Sequence, residues 1–417
     1  MKRGLQLFAA LLIGFSATAQ VRNGSVAMGP NYANQVYYKL DNQATNAYPH
    51  ASWDIAFLRT SAFGFATRIN DATGISVFEA SANIADWATI DVAQEATWTR
   101  LYNSDTEWEV GAFDNASAEY GWGTYNMANH HVTGAIVFVL KYADGSFKKF
   151  KIDDFYGGYT FTYASWVAGA WTPDTTVTLA NATNPGTIFN YYSLTANAPV
   201  VAEPVSADWD LMFTKYNTEV AMGPSTTVMY NVTGALTHPS AVVAENLEPD
   251  GVPNYTNVPF TEDINTVGYD WKTFNLGTGT YAIRTDKAFY IKNNGVVNRL
   301  VFESFIGAST GVITFNYEDV TTRLGIEDVN KNVSFGVYPN PSIDKKINVV
   351  YDVANATGDQ NTISIYSLTG AKVFETKASN NAGFFNSEID LSALNTGVYV
   401  LQFQSGDYTE TKKIVLR

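Results

Sequence analysis

The sequence predicts an all-β protein with minor α content, built from two tandem antiparallel β domains and a C-terminal Ig-like β-sandwich. Aromatic residues make up 14% of the 417 residues and charged residues only 16%, a mixture that favours twisted sheets over helix bundles. Short runs of alternating apolar and polar residues, separated by Gly, Asn and Pro, recur along the chain. A chain of this length is expected to form roughly two to four domains.

The beginning of the chain has the composition of an export signal. Residues 1–19 start with two basic residues, continue with an apolar run from Leu5 to Phe15 and end in Ala17-Thr18-Ala19, the A-x-A pattern of a cleavage site. We expect a secretory signal peptide here, and a buried N-terminal helix is the alternative. No later run reaches about 18 apolar residues, so no transmembrane segment is predicted.

The charge and the cysteine count exclude several classes of function. The formal net charge is −14 and the sequence pI is about 4.7, which argues against nucleic acid as a partner because phosphate backbones are repelled. The sequence contains no cysteine. Disulfides, thiolate nucleophiles, zinc–thiolate sites and iron–sulfur clusters are therefore excluded.

Two stretches resemble each other in order and spacing. The pattern YYxL followed by WDxxF occurs twice, and each copy precedes a longer segment with an Asx-Gly turn. The paired segments are Tyr37–Leu40 with Tyr191–Leu194, Ser52–Phe57 with Asp208–Phe213, and Phe138–Tyr156 with Phe289–Ile306. Duplication is the simplest explanation, and the predicted domains are 20–165 and 166–320. The Trp-Asp dipeptides lie over 150 residues apart, which does not fit propeller blades of about 40 to 45 residues.

The repeated segments have the alternation of half-buried antiparallel strands. In the first WDxxF segment, Trp53, Ile55 and Phe57 are expected to share one face. Asp144-Gly145 and Asn294-Gly295 are predicted type I′ hairpin turns, because Asn or Asp before Gly tolerates positive φ angles. Each repeat is therefore predicted to be an antiparallel β domain with one solvated face.

The composition changes after Val320. Residues 321–334 are polar and indicate a linker. Residues 335–417 contain short alternating strands separated by Gly, Asn and Pro turns, and a small Ig-like sandwich is predicted.

This last segment resembles the type A C-terminal sorting domain of type IX secretion. The resemblance rests on Pro339-Asn340-Pro341, Tyr366 and Gly370, Gly397-Val398-Tyr399 and the terminal Lys412–Val415. It implies engagement of the type IX secretion machinery, passage through the outer membrane, and release or attachment at the cell surface. An ordinary Ig-like binding module is the alternative.

The two repeats resemble the HmuY-like haemophore family of secreted or surface β proteins. Trp53–Phe57 and Lys141–Ile152 carry the resemblance in the first repeat, and Trp209–Phe213 with the looser Lys292–Phe302 carry it in the second. Members that bind haem hold the iron between two axial His or Met side chains on opposite porphyrin faces. The resemblance therefore implies haem as a possible ligand.

Candidate haem ligands are His130, His131, His50 and Met127. His130 and His131 are neighbours just before a predicted strand, so their side chains point to opposite faces and cannot both clamp one iron. One of them with His50 or Met127 could form a pair. The alternatives are that His130 and His131 lie in a solvated loop and that His50 belongs to a turn.

An aromatic cluster precedes these histidines. Tyr120, Trp122 and Tyr125 could line a pocket for an apolar ligand or stack on a sugar. Core packing is the alternative for these three side chains.

No residue in the sequence has the context of a catalytic group. The one G-x-S-x-G match, Gly307–Gly311, aligns with a turn of the first repeat and is followed by a predicted strand, whereas a nucleophile elbow leads into a helix. We expect a binding protein and not an enzyme. The predicted function is an exported protein that captures a small apolar or porphyrin-like ligand, and the alternative is a surface adhesion or structural protein that binds glycans or proteins.

Overall fold

The computed structural model describes residues 20–60, 64–223, 225–255, 258–324, 333–353, 361–367, 369–405 and 408–417. The predicted signal peptide, 1–19, and most of the predicted linker, 325–332, lie outside the described residues. The chain divides into two compact units, Met1–Val320 and Thr321–Arg417. Antiparallel strands joined by turns and short 3-10 helices form both units, which confirms the predicted all-β class.

The strands of the first unit are β1 (Arg22–Ala27), β2 (Asn34–Tyr38), β3 (Thr45–Pro49), β4 (Ile55–Leu58), β5 (Thr67–Ile69), β6 (Ser76–Ser81), β7 (Thr99–Leu101), β8 (Gly123–Tyr125), β9 (Val132–Gly134), β10 (Val137–Lys141), β11 (Phe147–Phe155), β12 (Gly158–Val167), β13 (Ala170–Trp171), β14 (Thr175–Ala180), β15 (Phe189–Ser193), β16 (Ala198–Val200), β17 (Leu211–Gly223), β18 (Thr226–Thr237), β19 (Val242–Leu247), β20 (Lys272–Asn275), β21 (Thr280–Ile283), β22 (Lys287–Asn293), β23 (Val296–Phe305) and β24 (Val312–Asp319). Short 3-10 helices lie at Pro30–Tyr32, His50–Ser52, Asp71–Thr73, Ile84–Thr89, Val92–Thr97, Phe113–Asn115, Ser206–Asp208, Pro249–Gly251 and Thr321–Leu324.

The first core of this unit lies between a large sheet and a small one. The large sheet has the order β13-β12-β11-β10-β6-β7, with β14 beside β12 and the β8–β9 pair beside β11, and the small sheet has the order β16-β15-β4-β5. Alternate residues of these strands face inward, as the pattern predicts. Large buried side chains of this core include Phe57, Phe113, Trp122, Phe138, Phe150, Tyr159, Phe161 and Tyr192.

The second core is built in the same way from β1-β24-β23-β22-β19 and β18-β17-β2-β3. Its inward residues come from both ends of the unit. Val26, Met28, Val36, Tyr38 and Leu40 from the N-terminal segment pack against Phe213, Trp271, Phe289, Phe302, Phe315 and Tyr317.

The two halves of the unit exchange their YYxL strands. β2, which carries the first YYxL, pairs with β17, and β15, which carries the second, pairs with β4. As a result, the Tyr37 ring contacts Trp209 with centroids 5.0 Å apart, and the Tyr191 ring contacts Trp53 with centroids 4.8 Å apart, both edge-to-face. The two Trp-Asp segments therefore have equivalent surroundings.

The aspartates of the Trp-Asp dipeptides repeat the same exchange. Asp210 accepts a hydrogen bond of 2.8 Å from the backbone N–H of Leu40, and Asp54 accepts one of 2.7 Å from that of Leu194. Each half is therefore closed by a strand of the other.

The second unit is a sandwich of two antiparallel sheets. Its strands are β25 (Val333–Tyr338), β26 (Lys346–Val353), β27 (Asn361–Ser367), β28 (Lys372–Ala378), β29 (Gly383–Asp390), β30 (Gly397–Ser405) and β31 (Tyr408–Leu416). The sheet β25-β26-β29 packs on the sheet β28-β27-β30-β31, and Val349, Tyr351, Ile363, Leu401 and Phe403 are among the side chains buried between them.

Candidate functional site

Strands β8 and β9 and the turn between them, Gly123–Gly134, form a hairpin that we call the histidine hairpin. The backbone N–H of Asn126 donates to the carbonyl of His131, and the N–H of His130 donates to the carbonyl of Asn126, both at 2.8 Å. His130 takes a positive φ of 63°, which is uncommon for a residue other than Gly. The turn therefore holds the two histidines in a fixed backbone geometry at the surface.

The two neighbouring histidines make different contacts. The hydroxyl of Tyr125 and Nδ1 of His130 are 2.5 Å apart. Nδ1 of His131 lies 2.8 Å from both carboxylate oxygens of Asp154, and its ring stacks on Tyr156 with centroids 4.7 Å apart. Each ring is therefore oriented through Nδ1 by a different partner. Because His130 has a positive φ and both histidines lie in the turn, the alternation of an extended strand, on which the prediction of opposite directions rested, does not apply to them.

His50 is held away from this hairpin in the interior. Its Nδ1 is 2.8 Å from the carbonyl of Tyr32 and its Nε2 is 3.0 Å from the hydroxyl of Thr214. Burial lowers the pKa of His50 to about 4. Both ring nitrogens have hydrogen-bond partners, so His50 is not brought together with His130 or His131 as an axial pair.

The remaining predicted site residues divide between surface and core. Met127 is 83% exposed at the turn of the histidine hairpin. Tyr120 and Tyr125 are exposed, with ring centroids 6.0 Å apart, whereas Trp122 is fully buried in the first core. The three aromatics therefore do not line one pocket together, and Trp122 follows the core-packing alternative.

A second surface, which the sequence did not indicate, has the stronger geometry of a binding site. We call it the aromatic groove. It has a volume of about 510 Å³ and is lined by Tyr32, Lys215, Val220, Tyr230–Thr233, Tyr269, Lys272, Phe274 and Tyr281. A volume of this size is typical of small-molecule sites.

Two hairpins and an aromatic row build the groove. The β17–β18 hairpin supplies one wall through Tyr230, and the short β20–β21 hairpin supplies the other through Phe274 and Tyr281. The rings of Phe274 and Tyr281 have centroids 4.9 Å apart, and Tyr281 continues to Phe305 at 4.7 Å. Tyr230 is 57% exposed and Phe274 is 50% exposed, so both present ring surface to a ligand.

Lys272 lies at the base of the groove. Its Nζ donates to the carbonyls of Thr233 at 2.5 Å and Tyr269 at 3.2 Å, and lies 4.1 Å from the ring centroid of Trp271. Burial lowers the pKa of Lys272 to about 7. With Lys215 also in the lining and no carboxylate among the lining side chains, the groove favours an anionic group despite the net charge of −14.

Metal chemistry has no comparable cluster. Among the described residues, no group of three or more His, Asp or Glu side chains is arranged to hold a metal ion. Two buried acids with raised pKa values, Asp114 and Glu203, each accept hydrogen bonds from two backbone N–H groups. These acids stabilise loops of the first unit and do not open on the groove.

The comparison with known families identifies the second unit. Residues 336–417 match the secretion system C-terminal sorting domain. The sorting domain marks export through type IX secretion, so the protein is exported to the cell surface or the extracellular space. This match decides against the ordinary Ig-like binding module as the alternative for the C-terminal unit.

Other comparisons add little about the first unit. No curated protein matches the chain significantly. Within the described part of the chain, no helix has the length and hydrophobicity required to span a membrane.

Proposed function

We propose that this protein is an exported binding protein and that the aromatic groove is its ligand site. The observation that carries the proposal is the combination of exposed rings from two hairpins with a lysine at the base of the groove. Such a site takes a ligand with a flat apolar body and an acidic group. A porphyrin has both features, and the HmuY-like resemblance of the repeats supports the same ligand class.

The groove fits a porphyrin ring better than it fits a ligated iron. None of the lining side chains is His or Met, and burial together with the neighbouring Tyr281 raises the pKa of Tyr32, which disfavours a tyrosinate ligand. Recognition in the groove would therefore rest on ring stacking and on the lysine charge. Haem would bind there through its porphyrin ring, without an axial His or Met from the groove.

A titration with two porphyrins tests this function. Metal-free protoporphyrin IX and hemin should bind the full chain with similar affinity, followed by porphyrin fluorescence and by the Soret band. Tyr230→Ala and Phe274→Ala should each weaken binding about tenfold, the loss of one stacking contact of about 1.4 kcal/mol. Tyr125→Ala, an exposed tyrosine on the histidine hairpin, is the matched control and should leave both affinities unchanged.

Three results would contradict the proposal. If neither porphyrin binds, porphyrins are excluded as the ligand class. If porphyrin binding is unchanged in Tyr230→Ala, the aromatic groove is excluded as the binding site. Hemin binding that is lost in His130→Ala or His131→Ala, with no binding of the metal-free ring, would place the site at the histidine hairpin.

A second candidate function is adhesion through protein contacts. The observation that favours it is a set of exposed apolar side chains at the ends of the same two hairpins: Met222, Val228, Met229, Tyr230, Phe274 and Leu276. Exposed apolar clusters of this kind often mark interaction surfaces.

A further inference from the structure

The backbone of β18 has one side that faces away from its partner strand. β18 is the edge strand of its sheet, with β17 on its other side. At the C-terminal end of β18, outward backbone groups form hydrogen bonds with other segments. The N–H of Ala235 donates to the carbonyl of Gly268 at 2.9 Å, and the N–H of Thr237 donates to the carbonyl of Ile264 at 2.9 Å. These bonds fix which residues of β18 point outward.

The same side of the strand is open further towards its N-terminal end. Outward groups recur at every second residue of an antiparallel strand, so those of Thr233, Asn231, Met229 and Thr227 point the same way. The carbonyl of Thr233 accepts from Lys272. Beyond it, none of the described residues forms a hydrogen bond with the outward backbone groups of Asn231, Met229 and Thr227.

This edge carries neither lysine nor proline, two residues that commonly protect an exposed strand, and the register shift in its pairing lies on β17 between Ala221 and Gly223. β18 reads TTVMYNVTGALT and contains no charged residue and no proline. Thr226–Tyr230 are all exposed. Natural edge strands are commonly blocked by lysine, proline or a bulge, so an uncharged, open edge of this length is suited to pairing with another strand.

The aromatic groove lies along this open edge. Four consecutive residues, Tyr230–Thr233, line it, although neighbouring side chains of a strand point to opposite faces. A groove in contact with all four reaches the outward side of the strand, and it also contacts Lys215 and Val220 of β17. A chain placed there would meet the backbone of β18 on one side and Phe274 and Tyr281 on the other.

We propose that the edge of β18 from Thr227 to Thr233 binds an extended acidic peptide segment of another protein as an added strand. Backbone hydrogen bonds to Thr227, Met229 and Asn231 would give affinity, and alternate side chains would enter the groove. One apolar or aromatic side chain would pack on Phe274, and a carboxylate would reach Lys272. This inference rests on the proposed function, because it takes the aromatic groove as the binding site.

Charge complementarity selects this occupant over a second copy of the chain. No carboxylate lines the groove with Lys215 and Lys272. Asp270, which acts electrostatically on Lys272, lies outside the lining and is paired with Lys287. A second β18 paired with the first would supply no carboxylate, since its twelve residues are uncharged. An acidic strand would supply one, and it would restore the charged form of Lys272 that burial disfavours.

The test uses a synthetic fluorescent peptide and the full chain. The probe is an N-acetylated peptide of about ten residues in which valine and tyrosine alternate with threonine and aspartate, a length that spans the edge. Fluorescence anisotropy should show saturable binding, and replacing the aspartates by lysines should weaken it at least tenfold. A second version of the peptide, with the alternating pattern shifted by one residue, presents the apolar side chains to the other face of the added strand.

A pair of variants at one position separates strand pairing from side-chain contact. Met229→Pro removes the outward N–H, keeps the bonds to β17 intact and is tolerated at an edge. Met229→Thr removes the same side chain and keeps the N–H. We expect Met229→Pro to weaken peptide binding at least tenfold and Met229→Thr to change it less than twofold, with both variants unfolding at the urea concentration of the parent.

The outcomes distinguish this inference from the function it rests on. If Met229→Pro still binds porphyrin but no longer binds the peptide, the result supports both the proposed groove function and strand addition at β18. Peptide binding that survives Met229→Pro, or no peptide binding at all, overturns strand addition and leaves the porphyrin result standing. A concentration-dependent dimer in sedimentation, abolished by Met229→Pro without peptide binding, overturns it in favour of a second copy.

Discussion

The tetrapeptide VAMG occurs twice, and the structure gives its two methionines opposite environments. Met28 follows β1, is completely buried, and packs in the second core, whereas Met222 is 64% exposed near the end of β17. The backbone around Met28 is held on both sides: its N–H donates to the carbonyl of Gly311 at 3.0 Å, and its carbonyl accepts from Asn34 at 2.9 Å. Met28→Ala should therefore leave a cavity that relaxes little.

The expected loss of stability follows from burial. Met→Ala in a core costs about 2–5 kcal/mol, and a rigid site lies in the upper part of that range, about 3–5 kcal/mol. Met222→Ala is the matched control and should change the free energy of unfolding by less than about 0.5 kcal/mol. The contrast tests whether the N-terminal segment belongs to the core of the distant half.

Urea unfolding followed by tryptophan fluorescence is the suitable assay. All nine tryptophans lie between residues 53 and 271, so the signal reports only the first unit and is silent for the sorting domain. Equal midpoints for Met28→Ala and Met222→Ala would refute the reasoning. They would show that the β1–β2 segment does not close the second core.

Other predictions address charge and export. Burial lowers the pKa of His50 and of His238 to about 4. Each neutral histidine therefore stabilises the folded state fully above pH 6.5, and up to about 3 kcal/mol of stability per histidine is lost as the pH falls from 6.5 to 4. A urea midpoint that falls as steeply with pH in His50→Gln as in the parent would contradict this. The Nζ of Lys149 is 4.3 Å from the ring centroid of Trp87 and donates to the carbonyl of Trp87 at 2.8 Å. Lys149→Met should therefore lower the free energy of unfolding by about 1–2 kcal/mol in the same assay. Removal of 336–417 should prevent passage across the outer membrane, so that cell fractionation finds the shortened chain on the periplasmic side. Surface display of the shortened chain would disprove the role of the sorting domain.

The sequence was sufficient to predict the strands but not their partners. Alternation in the first WDxxF segment correctly gives Ile55 and Phe57 one buried face, because a period of two identifies residues that share a face. Trp53, predicted on the same face, instead packs with Ala56 and Leu58 in a separate cluster, since it precedes β4 and both faces of β4 are buried. Alternation carries no information on which strand lies alongside. The exchange of β2 and β15 depends on long-range pairing between residues more than 130 apart in sequence, and neither strand is distinguished by composition from one that pairs within its own half.

The histidines show the same limit at the level of the site. The sequence predicts opposite directions for His130 and His131 on the assumption of an extended segment, whereas the structure places both in a turn with His130 at a φ of 63°. The sequence cannot show that Asp154 and Tyr156 from β11 and its following turn orient His131, or that Thr214 occupies a ring nitrogen of His50. Those partners come close only through sheet pairing. The sequence could therefore name the candidate ligands but could not predict which residues contact them.

The aromatic groove was missed because its residues carry no motif. Tyr230, Phe274 and Tyr281 lie on two hairpins separated by about forty residues, and each is an ordinary strand residue when considered alone. One local signal was present: β18 begins with a run of five uncharged residues, TTVMY, whose apolar members the structure leaves exposed. In an acidic protein, a run that is both β-forming and uncharged has either a buried face or a partner. Burial is excluded for this end of β18, and this exposed uncharged edge is the observation from which we propose an added acidic strand as its partner.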